Sequence, residues 1–153
     1  MIKFLDLKKI NHNYKDELNK AFNRVLESGW FIMGSELEAF EKEFAVYCDV
    51  EHCIGVGNGL DALILSLKAL DVGPGDEVIV PSNTYIATWL AVTHVGATIV
   101  PVEPNIDTYN IDPILIEAAI TSKTKAIIPV HLYGQAAEME EIMRIANKHK
   151  LFV

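Results

Sequence analysis

Gly55-Val56-Gly57-Asn58-Gly59-Leu60-Asp61-Ala62-Leu63 is the stretch on which the reading of this 153-residue chain turns. An apolar run leads into it, its glycines bare the backbone, and an apolar helical pattern from about Leu60 to Leu70 leaves it. The order reads as strand, tight turn, helix. The first turn of a helix has N–H groups without acceptors and carries about half a positive elementary charge, so such a joint is an anion site with phosphate as its natural guest. Leu60 stands where the dinucleotide fingerprint G-x-G-x-x-G needs its third glycine, and no Gly-Lys-Ser/Thr follows as a P-loop requires. A Rossmann dehydrogenase is thereby disfavoured, while an ordinary strand-to-helix turn remains open beside the phosphate reading. Asp61, one turn into the helix, would favour the dipole but repel a phosphate. It reads as the reciprocal partner of the cap residue Asn58, facing away from the guest.

Outward from this joint a rhythm sets in. Apolar, β-branched runs end near Val56, Val80, Val102 and Val130, a fifth begins at Leu151, and helical patterns lie between most of them. Val78-Ile79-Val80 is apolar at every position, as in a parallel strand buried on both faces. Gly73-Pro74-Gly75-Asp76 is a turn, Asp112-Pro113 supplies an N-cap and an N1 proline for a helix from Ile114 to Ile120, and Asp107 is a turn residue. Tyr85 to Val95 is helical, and a last helix from Glu138 to His149 repeats Met139, Ile142, Met143 and Ala146. The pattern predicts an α/β fold with a mainly parallel open sheet and helices on both faces. Ligands of such sheets bind beyond the carboxyl ends of the strands. Those ends carry the glycine turn, Ser82-Asn83-Thr84-Tyr85, Glu103-Pro104, and His131-Leu132-Tyr133-Gly134-Gln135. A phosphate nest, an aromatic ring, an imidazole, a phenol and several amides suit a flat, phosphorylated, aromatic ligand, with Tyr85 offering a stacking face. Core packing for Tyr85 and a hydrogen-bonded structural role for His131 are the plainer alternatives.

Before the glycine turn, Tyr14, Leu18, Phe22, Val25 and Leu26 recur at helical spacing until Gly29 stops them. The connection Trp30-Phe31-Ile32-Met33 is unusually apolar for a loop, which makes it either a covered core loop or part of an interface or pocket. Ser35 with Glu38 reads as a capping box for a helix burying Leu37, Phe40 and Phe44 and ending near Asp49.

Half the residues are apolar, enough for a sizeable core in a chain of one-domain length. A formal charge of −8 without any Lys/Arg cluster argues against nucleic acid or an anionic membrane as partner. Cys48 and Cys53, with His52 between them, lack a second ligand pair, so they are expected to be buried thiols and no metal site is expected. No apolar run approaches the ~18 residues of a membrane span and no signal peptide is recognisable, so a reducing cytoplasm is expected. No nucleophile elbow or H-E-x-x-H pattern supports a hydrolase or metalloenzyme. Leu151-Phe152-Val153 falls in the middle of an expected strand, so the chain reads as a piece of a longer protein.

Several long runs, in order, resemble the DegT/DnrJ/EryC1/StrS sugar aminotransferases: Ser28 to Gly34, Gly57 to Leu63, Gly73 to Ser82, Asn110 to Pro113 and Lys123 to Gln135. The resemblance implies the pyridoxal-phosphate fold type I. Residues 1–50 would be a helical segment packing on the large domain, and residues 51–153 the N-terminal half of that cofactor-binding domain. It implies amino transfer, usually from glutamate, onto a nucleotide-linked keto sugar in deoxyamino-sugar biosynthesis, at the interface of a homodimer. Asn58, Gly59, Leu60 and Tyr85 become the cofactor-binding candidates, the backbone at Gly59 and Leu60 taking the phosphate and Tyr85 stacking on the pyridine ring. Family members commonly carry Gly-Thr at 59–60, so Leu60 costs this chain a hydroxyl contact. Trp30, Phe31, His131 and Tyr133 are substrate or interface candidates. The combination with Ser82 to Trp89 and Val102-Glu103-Pro104 is most similar to members that aminate C3 of dTDP-3-keto-6-deoxyhexoses. The Schiff-base lysine of the family lies downstream of Val153, so no catalytic residue is expected within these residues and they alone should be inactive. A non-catalytic module that grips a nucleotide sugar or cofactor is the alternative.

Overall fold

The computed structural model describes residues 3–153, which divide after Gly55 into two compact units. The first holds three helices: α1 (Leu7–His12), α2 (Lys15–Ser28) and α3 (Ser35–Tyr47). Helix α1, too short to announce itself by periodicity, is capped by Asp6, whose carboxylate accepts the Lys9 N–H at 3.1 Å. Helix α2 ends at Gly29, in the left-handed conformation at φ 66° that glycine adopts without penalty. Arg24 clamps Glu36 bidentately at 2.7 and 2.9 Å, tying α2 to the start of α3.

Four expectations for this unit are corrected. The cap of α3 is Gly34, and Ser35 is the first helical residue without a side-chain cap bond, so the capping box does not form. Leu18, Phe22 and Leu26 of α2 and the Phe40 and Phe44 rings of α3 are exposed. Helical spacing reveals an apolar face but not what covers it. The Trp30–Met33 connection is no covered core loop, since all four residues are exposed, from 66% to 78%. Cys48, the C-cap of α3, is exposed and not buried.

The second unit begins with α4 (Gly59–Ala69) and continues through β1 (Glu77–Pro81), α5 (Ile86–His94), β2 (Thr98–Val102), α6 (Pro113–Ala119), β3 (Thr124–Ile127) and α7 (Met139–His149). The three strands are parallel in the order β2-β1-β3. Because side chains alternate across a strand, Val78 and Val80 enter one core with Leu67, Val92 and Ala126, whereas Ile79 enters a second with Ile127, Ile116, Ile142 and Ile145. Helices α4 and α5 cover the first face, α6 and α7 the second. All three central residues of β1 are fully buried, which is why the run carries no polar position.

The ends of the elements follow local chemistry. Asp76 accepts the Gly73 N–H at 2.9 Å inside the turn before β1. Asp112 caps α6 through the Ile114 N–H at 2.9 Å, with Pro113 at the first helical position. Glu117 on α6 meets Lys148 at 2.5 Å and His149 at 3.1 Å on α7, and these hydrogen bonds pull its carboxyl pKa down to about 2. On α4, Leu65 is exposed, so this helix is covered less completely than its composition suggests; on α7, Ile145 takes the buried place expected of Met143.

Three of the expected strands differ from expectation. The run before the glycine turn forms no strand, because no neighbouring strand pairs with it and the Gly55 N–H is taken by the Glu41 carboxylate at 2.7 Å. The run expected to end at Val130 stops at Ile127, with one further ladder bond from the Ile128 N–H to the Ile79 carbonyl at 2.9 Å. The fifth run is a single parallel bridge from Phe152 to Ala126 on the outer side of β3. Among the described residues no helix is long and apolar enough to cross a membrane, and no cluster of side chains is fit to hold a metal ion.

Candidate functional site

The glycine turn forms the cap of α4. Asn58 is fully extended, at φ −166° and ψ 174°, and its Oδ1 accepts the Asp61 N–H at 3.0 Å while its Nδ2 donates to Asp61 Oδ2 at 2.9 Å. The reciprocal cap read from sequence is present. It turns the Asp61 carboxylate back toward Asn58 and Gly57, where a Cβ on Gly57 would lie 3.0 Å from Asp61 Oδ2. Two donors are thereby left for a ligand, since no acceptor among the described residues takes the N–H of Gly59 or Leu60. Nothing lies within 4 Å of where a Gly59 Cβ would stand, so the approach is open. An 11-residue helix behind these donors supplies the positive end of its dipole.

Tyr85 is the N-cap residue of α5 and follows the carboxyl end of β1 by four positions. Its ring is 79% exposed, so core packing is not its role. The segment beneath it is fixed: Trp89 donates from Nε1 to the Pro81 carbonyl at 3.1 Å, and the Thr84 and Thr88 hydroxyls bond at 2.9 Å. Leu60 and Trp89, each in the first turn of its helix, pack against the core cluster that contains Val80.

Beyond β3, His131 accepts the Ala137 N–H on Nδ1 at 3.0 Å, which leaves the neutral ring's proton on Nε2. The ring is thus tied to the backbone, and among the described residues Nε2 has no partner. Tyr133 is exposed and left-handed at φ 54°, and its ring meets Tyr109 edge-to-face at 6.3 Å. A buried asparagine holds this loop. Asn110, 3% exposed, accepts the Leu132 N–H at 2.9 Å and donates to the Gln135 and Ala136 carbonyls, each at 3.2 Å. Asn83 in turn donates to the Tyr109 carbonyl at 3.0 Å, so the segments after β1, β2 and β3 are linked beyond the strand ends. An asparagine between a turn and a helix cap carries no sequence mark that separates a buried clamp from a solvated turn residue. Trp30 and Phe31 belong to the first unit and present exposed rings. An apolar groove of about 380 Å³ between α4 and β3, lined by Leu63, Leu67, Ile128 and Phe152 among others, contains none of the candidate residues.

The anion nest at the start of α4, the exposed ring after β1 and the polar loop after β3 are groups that suit a phosphorylated planar ligand. The sequence model of the DegT/DnrJ/EryC1/StrS aminotransferase family matches residues 12–153. The chain belongs to that family. Among its relatives, the dTDP-3-amino-3,6-dideoxy-alpha-D-galactopyranose transaminase of Aneurinibacillus thermoaerophilus is 61% identical over all 153 residues, which span 42% of that protein. The crystal structure of S. venezuelae DesV in complex with a ketimine intermediate superposes at a TM-score of 0.95 with 53% identity, covering 98% of this chain and 40% of that one. NtdA from Bacillus subtilis with bound cofactor PMP superposes at 0.91 with 42% identity, covering 98% and 35%. The chain thus spans about two-fifths of the length of the relatives it matches.

Proposed function

We propose that this chain forms the phosphate cradle and part of the substrate site of a pyridoxal-phosphate-dependent aminotransferase. The enzyme moves an amino group from glutamate onto a nucleotide-linked keto sugar, a dTDP-3-keto-6-deoxyhexose, in deoxyamino-sugar biosynthesis. The observation that carries this reading is the 61% identity across the whole chain to a dTDP-sugar transaminase. The site is consistent with it. Two unpaired backbone donors, a helix dipole and an open Gly59 fit a phosphate monoester, and the exposed Tyr85 face fits a pyridine ring. Residues 51–153 are accordingly read as the N-terminal half of the cofactor-binding domain.

In this reading the cofactor supplies an electron sink for chemistry at the amino-bearing carbon. Gly59 and Leu60 bind its phosphate through backbone alone, with Asn58 fixing the donors by holding Asp61 aside. Tyr85 orients the ring, and His131 offers a proton at Nε2 to the substrate region. The exposed Trp30, Phe31, Ile32 and Met33 form an apolar surface of the kind a second copy covers, which supports a homodimer. An exposed Cys48 thiol suits a reducing cytoplasm.

Covalent attachment of the cofactor requires a lysine, and two of those near the sheet are engaged elsewhere. Lys125 binds the Asp71 carbonyl and Asp76 at the amino end of the sheet, and Lys148 pairs with Glu117. Residues 1–153 by themselves are therefore expected to bind the cofactor without transferring amino groups. A chimera tests the full reading: these residues replace the matching 42% of the Aneurinibacillus transaminase. Incubated with pyridoxal phosphate, glutamate and the keto sugar, it should release 2-oxoglutarate and the aminated sugar nucleotide. A folded chimera that binds cofactor without transfer would overturn the proposed activity.

A further inference from the structure

Two bulky residues of the second unit, Tyr109 and Tyr133, occupy the left-handed region, at φ 59° and 54°, where L side chains are crowded. Neither strain is forced by burial, since the rings are 50% and 85% exposed. Yet they meet each other edge-to-face, at 6.3 Å and an interplanar angle of 77°. Both backbones are held from below. Asn110 uses its whole carboxamide on the 132–136 loop, and its carbonyl accepts the Asn105 N–H at 2.9 Å, closing the loop that carries Tyr109. Asn83 anchors the Tyr109 carbonyl from the segment that also bears Tyr85. The two loops thus present their rings side by side, in edge-to-face contact.

We propose that Tyr109 and Tyr133 are a two-ring clip for the base of the nucleotide-linked substrate, with Asn110 as the positioning residue that holds both loops. This rests on the reading that the substrate is a nucleotide sugar. A flat base laid on the open face of Tyr133 has the Tyr109 ring as a side wall, and two phenol hydroxyls are available to its polar edge. Tyr85, nearer the phosphate nest in the chain, stays free for the cofactor ring.

Thymidine 5′-diphosphate, titrated calorimetrically into the protein loaded with pyridoxal phosphate, tests the clip. Tyr133→Gly and Tyr109→Gly remove a ring at positions where glycine is conformationally at ease, so folding is not threatened. Tyr133→Asn is a second ring-free variant tolerant of φ above zero. Each should weaken thymidine diphosphate about tenfold, the order seen for one base–aromatic stack, with cofactor affinity and melting temperature held; Tyr133→Phe should bind within a few-fold of the parent. Asn110→Asp should weaken the nucleotide in the parent but add little on top of Tyr133→Gly, because it acts through that ring; a merely structural role would add in full. Equal nucleotide affinity in the ring-free variants, or none in the parent, overturns the clip and leaves the cofactor reading standing. Failure of the parent to bind pyridoxal phosphate overturns that reading instead.

Discussion

Replacing Asn58 with alanine separates the two tasks that the glycine turn performs. The substitution removes the Oδ1 acceptor of the Asp61 N–H at 3.0 Å and the Nδ2 donor to Asp61 Oδ2 at 2.9 Å. Loss of a helix cap of this type costs about 1 kcal/mol, and for a unit of this size that lowers the melting temperature by roughly 4–8 °C. The functional effect has a different origin. With Asn58 gone, the Asp61 carboxylate has no partner and is free to swing toward the donors of Gly59 and Leu60, where it repels a phosphate. Pyridoxal phosphate affinity should therefore fall in Asn58→Ala by more than the stability change explains, and Asn58→Ala/Asp61→Asn should recover most of it without recovering the melting temperature. Thermal unfolding by circular dichroism and equilibrium dialysis of the cofactor give the two numbers. An affinity equal to the parent's, or a loss that Asp61→Asn does not repair, would refute the reasoning.

Tyr85→Ala should reduce cofactor affinity severalfold while leaving urea stability within about 0.5 kcal/mol, as befits an exposed ring. Ile79→Ala removes a fully buried side chain from the centre of β1 and should cost about 2–5 kcal/mol in urea denaturation. Glu117→Gln addresses the clasp between α6 and α7. Its carboxyl pKa is lowered to about 2 in the fold by Lys148 and His149. The stability this contributes is present above the unfolded carboxyl value of about 4.3 and is lost as pH falls toward about 2. Parent and variant should differ at pH 7 and converge near pH 2, with the difference at pH 7 shrinking in high salt; a difference that persists at pH 2 would contradict the assignment.

What could be read from the sequence was whatever local chemistry decides. Val78-Ile79-Val80 announced a doubly covered strand because both of its faces need apolar groups. Asp112-Pro113 and Asn58 announced caps because each satisfies an N–H within three residues of itself. The turn at Gly73 to Asp76 was equally local. Partners at long range were not legible. The run before Gly55 has strand composition, but a strand requires a neighbour, and a side chain of α3 takes its N–H. Phe40 and Phe44 have core spacing without a core. Gly34 displaced Ser35 as cap because either residue type can serve and the boundary shifts by one. At the site, the nest was legible as a backbone pattern and Tyr85 as a ring at a strand end. Asn110 was hidden because its three bonds go to residues more than twenty positions away.

The central claim is that the start of α4 grips a phosphate attached to a flat ring. Comparing the affinities of the protein for pyridoxal 5′-phosphate and for pyridoxal tests it most directly, since the two differ only in the group that the Gly59 and Leu60 donors receive. The phosphorylated form should bind at least tenfold more tightly, and Asn58→Ala should narrow the gap. Equal affinities for the two would contradict it.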